Sequence, residues 1–314
     1  MRSEPNTQSP IRIGTRGSKL ALVQAHQLRD RLMAAHGLAE GDFAFDIIKT
    51  SGDIITDVPL SAFGGKGLFT KEIEEALLAN TIDVAVHSMK DMPTKLPEGL
   101  EISCLLPRED VRDAFISLKA ARLDALPQGS VMGTSSLRRQ AQVKRLRPDL
   151  RVITYRGNVD TRLRKLADGD ADATLLAAAG LRRLGLEAHI TALIETDEML
   201  PAIAQGAIGI ETRIGDTRMQ ALLAPLHHQD TSICVEAERA FLAELDGSCR
   251  TPIAGLATLS AGHLDFRGEI LLPDGSKSHA TSRHGTPADA AAMGIDAARE
   301  LLRAAGPGFL HRDA

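Results

Sequence analysis

The strongest constraint on the fold is an alternation of short apolar runs with helical segments. Ile11-Arg-Ile-Gly14 reads as a strand, followed by a helix from Leu20 to His36 that Gly37 ends. Phe43 to Lys49 alternates as a strand. A Gly-rich loop, Phe63-Gly-Gly-Lys-Gly-Leu68, leads into a helix for which Thr70 is the expected N-cap, with acids in its first turn. Asp83 to His87 and Glu101 to Leu106 are further strands, and the pattern then starts again. Ser130 to Gly133, Val152 to Tyr155 and Ala173 to Ala177 read as strands. Between them lie helices from Ser136 to Leu146 and from Val159 to Ala167. Pro201 to Glu211 reads as an extended segment crossing back. Repeated strand–helix units imply α/β architecture with largely parallel sheets covered by helices.

After Asp230 the texture changes to a helix (Ser232 to Leu245), strand-like runs around Leu256, Leu264 and Ile270, a Pro273-Asp-Gly275 turn, and a final helix from Pro287 to Ala305. The chain of 314 residues is therefore expected to form three units. Residues 10–106 with 207–224 make one α/β domain, 112–200 a second, and 229–314 a small α+β domain.

With no Trp, one Tyr and eight Phe, the core must come from Ala, Leu, Ile and Val. Met1 to Pro10 has no apolar run and does not read as a signal peptide, and no stretch approaches the roughly 20 apolar residues of a membrane span. Cys104, Cys234 and Cys249 are odd in number and contain no CxxC pair, which argues against a disulfide framework or a metal site and favours a cytoplasmic setting.

Net charge is −4, yet Thr134 to Lys165 holds ten Lys or Arg against two Asp. Four strand-to-helix junctions carry cations: Gly14-Thr-Arg-Gly-Ser-Lys19, His87-Ser-Met-Lys-Asp91, Gly133-Thr-Ser-Ser-Leu-Arg-Arg139 and Tyr155-Arg-Gly-Asn-Val-Asp-Thr-Arg162. A helix start already carries partial positive charge, so a cation there costs about 0.3–1 kcal/mol. Four such junctions point to anion sites, where backbone N–H, hydroxyl and guanidinium groups converge on carboxylate or phosphate. Taken singly, each has a plainer reading as surface charge or a local ion pair. Lys66 is followed by Gly67, so the Gly-rich loop is not a Walker motif and suits a mobile flap better.

Cys104 and Cys234 sit in apolar runs and read as core residues. Cys249 lies in the polar loop Asp246-Gly-Ser-Cys-Arg-Thr-Pro252 beside a cation, a setting that favours thiolate and attachment chemistry.

Together these segments resemble the porphobilinogen deaminase (hydroxymethylbilane synthase) family, from about Arg12 into the C-terminal region. The strings that carry the likeness are Thr15-Arg-Gly-Ser-Lys-Leu-Ala-Leu, Gly64-Gly-Lys-Gly-Leu-Phe69, Ala85-Val-His-Ser-Met-Lys-Asp91, Gly133-Thr-Ser-Ser-Leu-Arg-Arg-Gln140, Arg156-Gly-Asn-Val, Ala179-Gly-Leu-Arg-Arg-Leu-Gly185 and Gln205-Gly-Ala-Ile-Gly, with the Cys249 loop. The resemblance implies two type II periplasmic-binding-protein-like α/β domains and a third domain bearing the cysteine. It also implies a transferase that joins four porphobilinogen molecules head to tail on a covalent dipyrromethane primer, releases ammonia and hydrolyses off a linear tetrapyrrole. It places the primer on Cys249, with Lys90, Ser136, Arg138, Arg139, Thr134 and Asp53 as its binding residues. Substrate or growing chain falls to Arg16, Ser18, Arg156, Arg162, Arg183 and Gln24, catalysis to Asp91, and the mobile loop to Lys66 and Phe69. It further implies a monomer without metal, membrane or nucleic-acid partner. Leu60-Ser-Ala-Phe63 lacks a lysine that some relatives carry there, and the segment before the cysteine varies slightly.

Two other classes compete. A solute-binding or ligand-sensing domain of the same general fold would need an export signal or a DNA-binding helix pair, and would have no use for Cys249. Nucleic-acid binding through the Thr134–Lys165 patch is disfavoured by the overall acidity and the scarcity of aromatics.

Overall fold

The computed structural model describes residues 9–54, 69–247 and 251–310, without the side chains of residues 53 and 54. In chain order the first elements are β1 (Ile11–Arg16), α1 (Lys19–His36), β2 (Phe43–Ile48), α2 (Ser51–Ile54), α3 (Lys71–Leu78), β3 (Val84–Ser88) and β4 (Leu100–Leu105). There follow β5 (Asp113–Ser117), β6 (Val131–Gly133), α4 (Leu137–Leu146), β7 (Arg151–Ile153), α5 (Val159–Ala167), β8 (Ala173–Ala177), α6 (Ala178–Arg183) and β9 (Ala192–Ile194). The last are β10 (Ile208–Arg213), α7 (Thr217–Leu223), α8 (Gln229–Glu244), β11 (Ile253–Ser260), β12 (His263–Leu271), β13 (Ser278–Gly285) and α9 (Ala290–Ala305).

Two five-stranded sheets repeat one plan. The first runs β2-β1-β3-β10-β4 and the second β7-β6-β8-β5-β9. β1 pairs in parallel with β2 and β3, as β6 does with β7 and β8. The strand that enters each sheet from the other unit, β10 in the first and β5 in the second, is antiparallel to its neighbours. The chain thus crosses twice between two α/β units, each completed by a strand arriving from the other. The third sheet is an antiparallel meander, β11-β12-β13, covered by α8 and α9.

Local chemistry accounts for the helices that matter to the site. Ser18 caps α1 by accepting from Ala21 N at 3.3 Å, and Gly37 closes it in the left-handed region at φ 65°. Ala21, Gln24, Ala25, Leu28 and Leu32 recur at helical spacing and are buried. Several expectations are corrected. Thr70 occupies the N-cap position of α3, but its side chain makes no capping bond. The final helix begins at Ala290, after a 3-10 turn over Pro287–Asp289. Pro201 to Glu211 is not extended throughout, since residues 203–206 form turns before β10. β5, β9, α6 and α7 were not legible: β5 opens on a charged residue, and β9 has three residues, too few for a periodic signal.

Glu238 of α8 ties the three units together. It is fully buried and pairs with Arg108 of the outward crossing through Nη1 at 2.7 Å and Nη2 at 3.0 Å. It also accepts from Ala204 N of the return crossing at 2.6 Å and Ala257 N of β11 at 2.8 Å. The core under the third sheet includes Met89, Met92 and Leu105 of the first unit and Ile203 and Ala207 of the return crossing. The third unit is therefore packed against the segment that carries Lys90 and Asp91.

Candidate active site

The cationic junctions sit at the carboxyl ends of the parallel strands, where open α/β sheets bind ligands. Arg16 ends β1, with its guanidinium 4.3 Å from the centre of the Phe69 ring. Arg16, Ser18, Gln24, Phe69, His87 and Asp91 line one cavity. Gln24 is buried and donates Nε2–H to Ser88 Oγ at 2.9 Å, so it frames this cavity from α1.

In the second unit Ser136 caps α4 by accepting from Arg139 N at 3.4 Å, and buried Thr134 accepts from Ser136 N at 3.2 Å. Both hydroxyls are thus used in shaping the junction. Gly133 is required there because a Cβ would come within 2.7 Å of the Tyr155 ring. Tyr155, fully buried, donates its hydroxyl to Arg162 O at 2.9 Å and so fixes the start of α5. Arg162 donates Nε–H to Gly157 O at 2.8 Å.

Arg138 and Arg139 are not loose surface cations. Both are buried against Asp113 at the start of β5, at 2.8 and 2.7 Å, and Gln205 adds Nε2–H to the same carboxylate at 3.0 Å. Arg138 also reaches Leu200 O, and Arg139 reaches Leu175 O. Burial alone would push Asp113 up, but the two guanidiniums reverse this and hold its carboxyl well below the usual range. Nothing in the sequence marks Asp113, and the string that begins at Gln205 does not reveal its contact with that carboxylate, because the strand and the crossing meet only in the fold.

Electrostatic coupling joins the two sides. Burial pushes Lys90 down to about 8, with Asp91 and Asp113 opposing and Arg139 and Arg138 adding to the fall. Burial, then Arg139 and Arg156, push Arg162 down to about 10, against Tyr155 and Asp91. Lys90 and Asp91 of the first unit therefore share one field with Arg138, Arg139, Arg156 and Arg162 of the second. The carboxylates that act on Lys90 and Arg162 in this field are Asp91 and Asp113. Among the described residues neither Lys90 nor Asp91 has a hydrogen-bond or ion-pair partner, and Nε of Arg138 is a buried donor without one. A polyanionic group fits this excess of cationic donors.

Two further cations have partners within the fold. Lys19 pairs with Asp160 of α5 at 2.9 Å, a contact between the units that relieves its unfavourable place at a helix start. Arg183 donates Nη2–H to Gly206 O at 2.7 Å and is tied to the return crossing. Cys249 and Lys66, and the side chain of Asp53, lie outside the described residues.

The family model described as "Porphobilinogen deaminase, dipyromethane cofactor binding domain" matches residues 11–221, and "Porphobilinogen deaminase, C-terminal domain" matches residues 232–303. The chain belongs to the porphobilinogen deaminase family. Two relatives named porphobilinogen deaminase illustrate how extensive the likeness is. The protein from Paracoccus denitrificans is 62% identical over 301 residues, 96% of each chain. That from Nitrobacter hamburgensis is 58% identical over 309 residues, 98% of each chain. Among solved structures, a putative methionine-binding lipoprotein from Bacillus subtilis aligns at a TM-score of 0.42 and 12% identity, covering 71% of this chain and 92% of its own. Family membership gives the cation-rich cleft its chemistry, since dipyrromethane is the cofactor bound by the matched domain.

Proposed function

We propose that the protein is a hydroxymethylbilane synthase: it joins four porphobilinogen molecules head to tail on a covalent dipyrromethane, releases ammonia at each condensation, and hydrolyses off the linear tetrapyrrole. The observation that supports this best is the exposed Asp91 carboxylate, without a hydrogen-bond or ion-pair partner among the described residues yet coupled to the adjacent Lys90 and to Arg162 of the second unit.

When bound, the dipyrromethane supplies the free pyrrole carbon at which the first unit is joined. Cys249 holds it covalently, with Lys90, Ser136, Arg138, Arg139, Thr134 and Asp53 as its binding residues. The shared Asp113 keeps Arg138 and Arg139 fixed, so the surplus positive charge is held in place before any anion arrives. Arg16, Ser18, Gln24, Arg156, Arg162 and Arg183 serve the carboxylates of incoming porphobilinogen and of the growing chain. Arg183 does so from its anchor on the return crossing. Asp91 accepts hydrogen bonds from pyrrole N–H groups, stabilises positive charge on the ring that loses its amine and helps move protons. Phe69 lines the cleft beside Arg16, and the role expected of Lys66 falls outside the described residues.

In this reading residues 10–106 with 207–224, 112–200 and 229–314 act as three domains of a cytoplasmic monomer with no nucleic-acid or membrane partner. No helix among the described residues is long and apolar enough to cross a membrane.

Intact mass tests the proposal directly. The purified protein should exceed its sequence mass by two linked pyrrole units, and Cys249→Ala should abolish the increment. A fully active protein at the bare sequence mass would refute the reading. Asp91→Ala should keep both fold and increment while losing nearly all turnover.

A further inference from the structure

One buried titratable cluster has no part in the steps above. His87 Nε2 on β3 lies 3.0 Å from Glu211 Oε2 on β10. In the antiparallel register His87 faces Gly209 and Ala85 faces Glu211, which makes His87 and Glu211 diagonal neighbours on one face of the sheet. Glu211 is fully buried, and Glu74 of α3 lies behind it, its carboxyl pushed up first by burial and also by Glu211. Oε1 of Glu211 and Oε1 of Glu74 have no hydrogen-bond partner among the described residues.

A purely structural His–carboxylate pair would be sealed in the core. His87 instead lines the cavity shared by Arg16, Ser18, Gln24 and Asp91. Its Nδ1 makes no hydrogen bond to a described residue. With Glu211 accepting, Nε2 carries the proton and Nδ1 is left as a base, the arrangement in which a carboxylate orients an imidazole for proton transfer. Among the described residues the charged groups around it are Glu211 from β10, Glu74 from α3, Arg16 from β1 and Asp91 just beyond β3. From α1 and its cap come the neutral Ser18 and Gln24.

The reaction needs such a base. The aminomethyl group of the incoming unit reacts as its ammonium: the C–N bond breaks and its electron pair leaves on nitrogen as ammonia. The new C–C bond forms from an electron pair of the attacking pyrrole ring. The hydrogen on that ring carbon must then leave as a proton, its C–H pair restoring the aromatic ring. Asp91 stabilises the cationic ring through its negative charge, so a proton retained there would remove that stabilisation. We propose that His87, oriented by Glu211, takes this proton at Nδ1 and passes it to the departing ammonia, which leaves as ammonium. The inference rests on the function proposed above.

Two variants test it: His87→Gln removes the base, and Glu211→Gln keeps a hydrogen-bonding side chain of the same shape but removes the orienting charge. Each is compared with wild type by intact mass, by kcat and KM across the pH profile, and with porphobilinogen deuterated at its free ring carbon. Both variants should carry the cofactor mass increment and lose kcat by about 100-fold, with KM changed far less. They should also lose the acid limb of the kcat profile and show a larger deuterium isotope effect than wild type. Retention of the wild-type acid limb and isotope effect would overturn the proposal, even with a lower kcat, because that is the signature of a structural role. If His87→Gln fails to fold, the isotope effect in Glu211→Gln decides. Wild-type protein without deaminase turnover would instead overturn the functional reading beneath it.

Discussion

Arg139 donates Nη2–H to Asp113 at 2.7 Å, and both groups are buried where the outward-crossing strand meets the start of α4. Arg138 meets the same carboxylate at 2.8 Å. Removing one partner of a buried pair leaves uncompensated charge, so Asp113→Asn should cost about 3–5 kcal/mol in chemical denaturation. The same substitution should lower the fraction of protein carrying the cofactor mass. Because the folded carboxyl is held below its unfolded value, this stabilisation is complete above the unfolded pKa of about 4 and is lost as pH falls through the depressed folded value. In the Asn variant the contribution should vanish from the acid limb of a stability–pH curve.

Lys90 gives an alkaline signature. Burial brings it down to about 8, so it is mostly charged at neutral pH and neutral above that value. Anion binding that depends on it should weaken as pH rises through about 8. Cofactor loading of the apoprotein, followed by intact mass after incubation with porphobilinogen, should fall over that range. Lys90→Arg should extend loading to higher pH, since guanidinium stays protonated.

Phe69 holds Arg16 by its ring face at 4.3 Å. A partly desolvated cation–π contact is worth about 0.5–2 kcal/mol, so Phe69→Ala should raise KM by roughly 2- to 30-fold. Steady-state kinetics with varied porphobilinogen measures this, and Phe69→Tyr should retain most of the affinity.

Gly275 fixes the third unit on the helix that carries the buried arginines. It adopts φ +71°, and a Cβ there would come within 2.5 Å of Arg145 N and 2.6 Å of Ala141 O. The hairpin is also held to α4 by Gln140 donating to Pro273 O at 3.2 Å and by the Arg145–Glu269 ion pair. Gly275→Val should therefore destabilise by about 1–3 kcal/mol, seen as a lower Tm, whereas a substitution at exposed Ser276 should stay within about 0.5 kcal/mol.

Much of this protein was legible in its sequence because periodicity is local. The alternation of apolar runs with helices specified two α/β units and a third of different texture. Capping was less legible: Ser18, Ser136 and Asn158 each cap a helix by accepting from its first turn, whereas Thr70, the cap expected from sequence, makes no capping bond. The cations at the strand-to-helix junctions marked an anion site, and the ordered strings around Asp91 and Cys249 named the family. Where every residue of a pattern lies within a few positions of the next, the chain carries its own instruction.

Tertiary structure alone decided how those charges are used. Arg138 and Arg139 share Asp113, from a strand some 25 residues away that opens on a charge and gives no periodic signal. Lys19 meets Asp160, Arg183 grips the return crossing, and His87 finds Glu211 more than 120 residues on. Local sequence could place cations at the helix starts. Whether each is spent on an internal carboxylate or left facing a ligand depends on partners that only chain crossing and antiparallel pairing bring near, since Coulomb energy depends on distance in space.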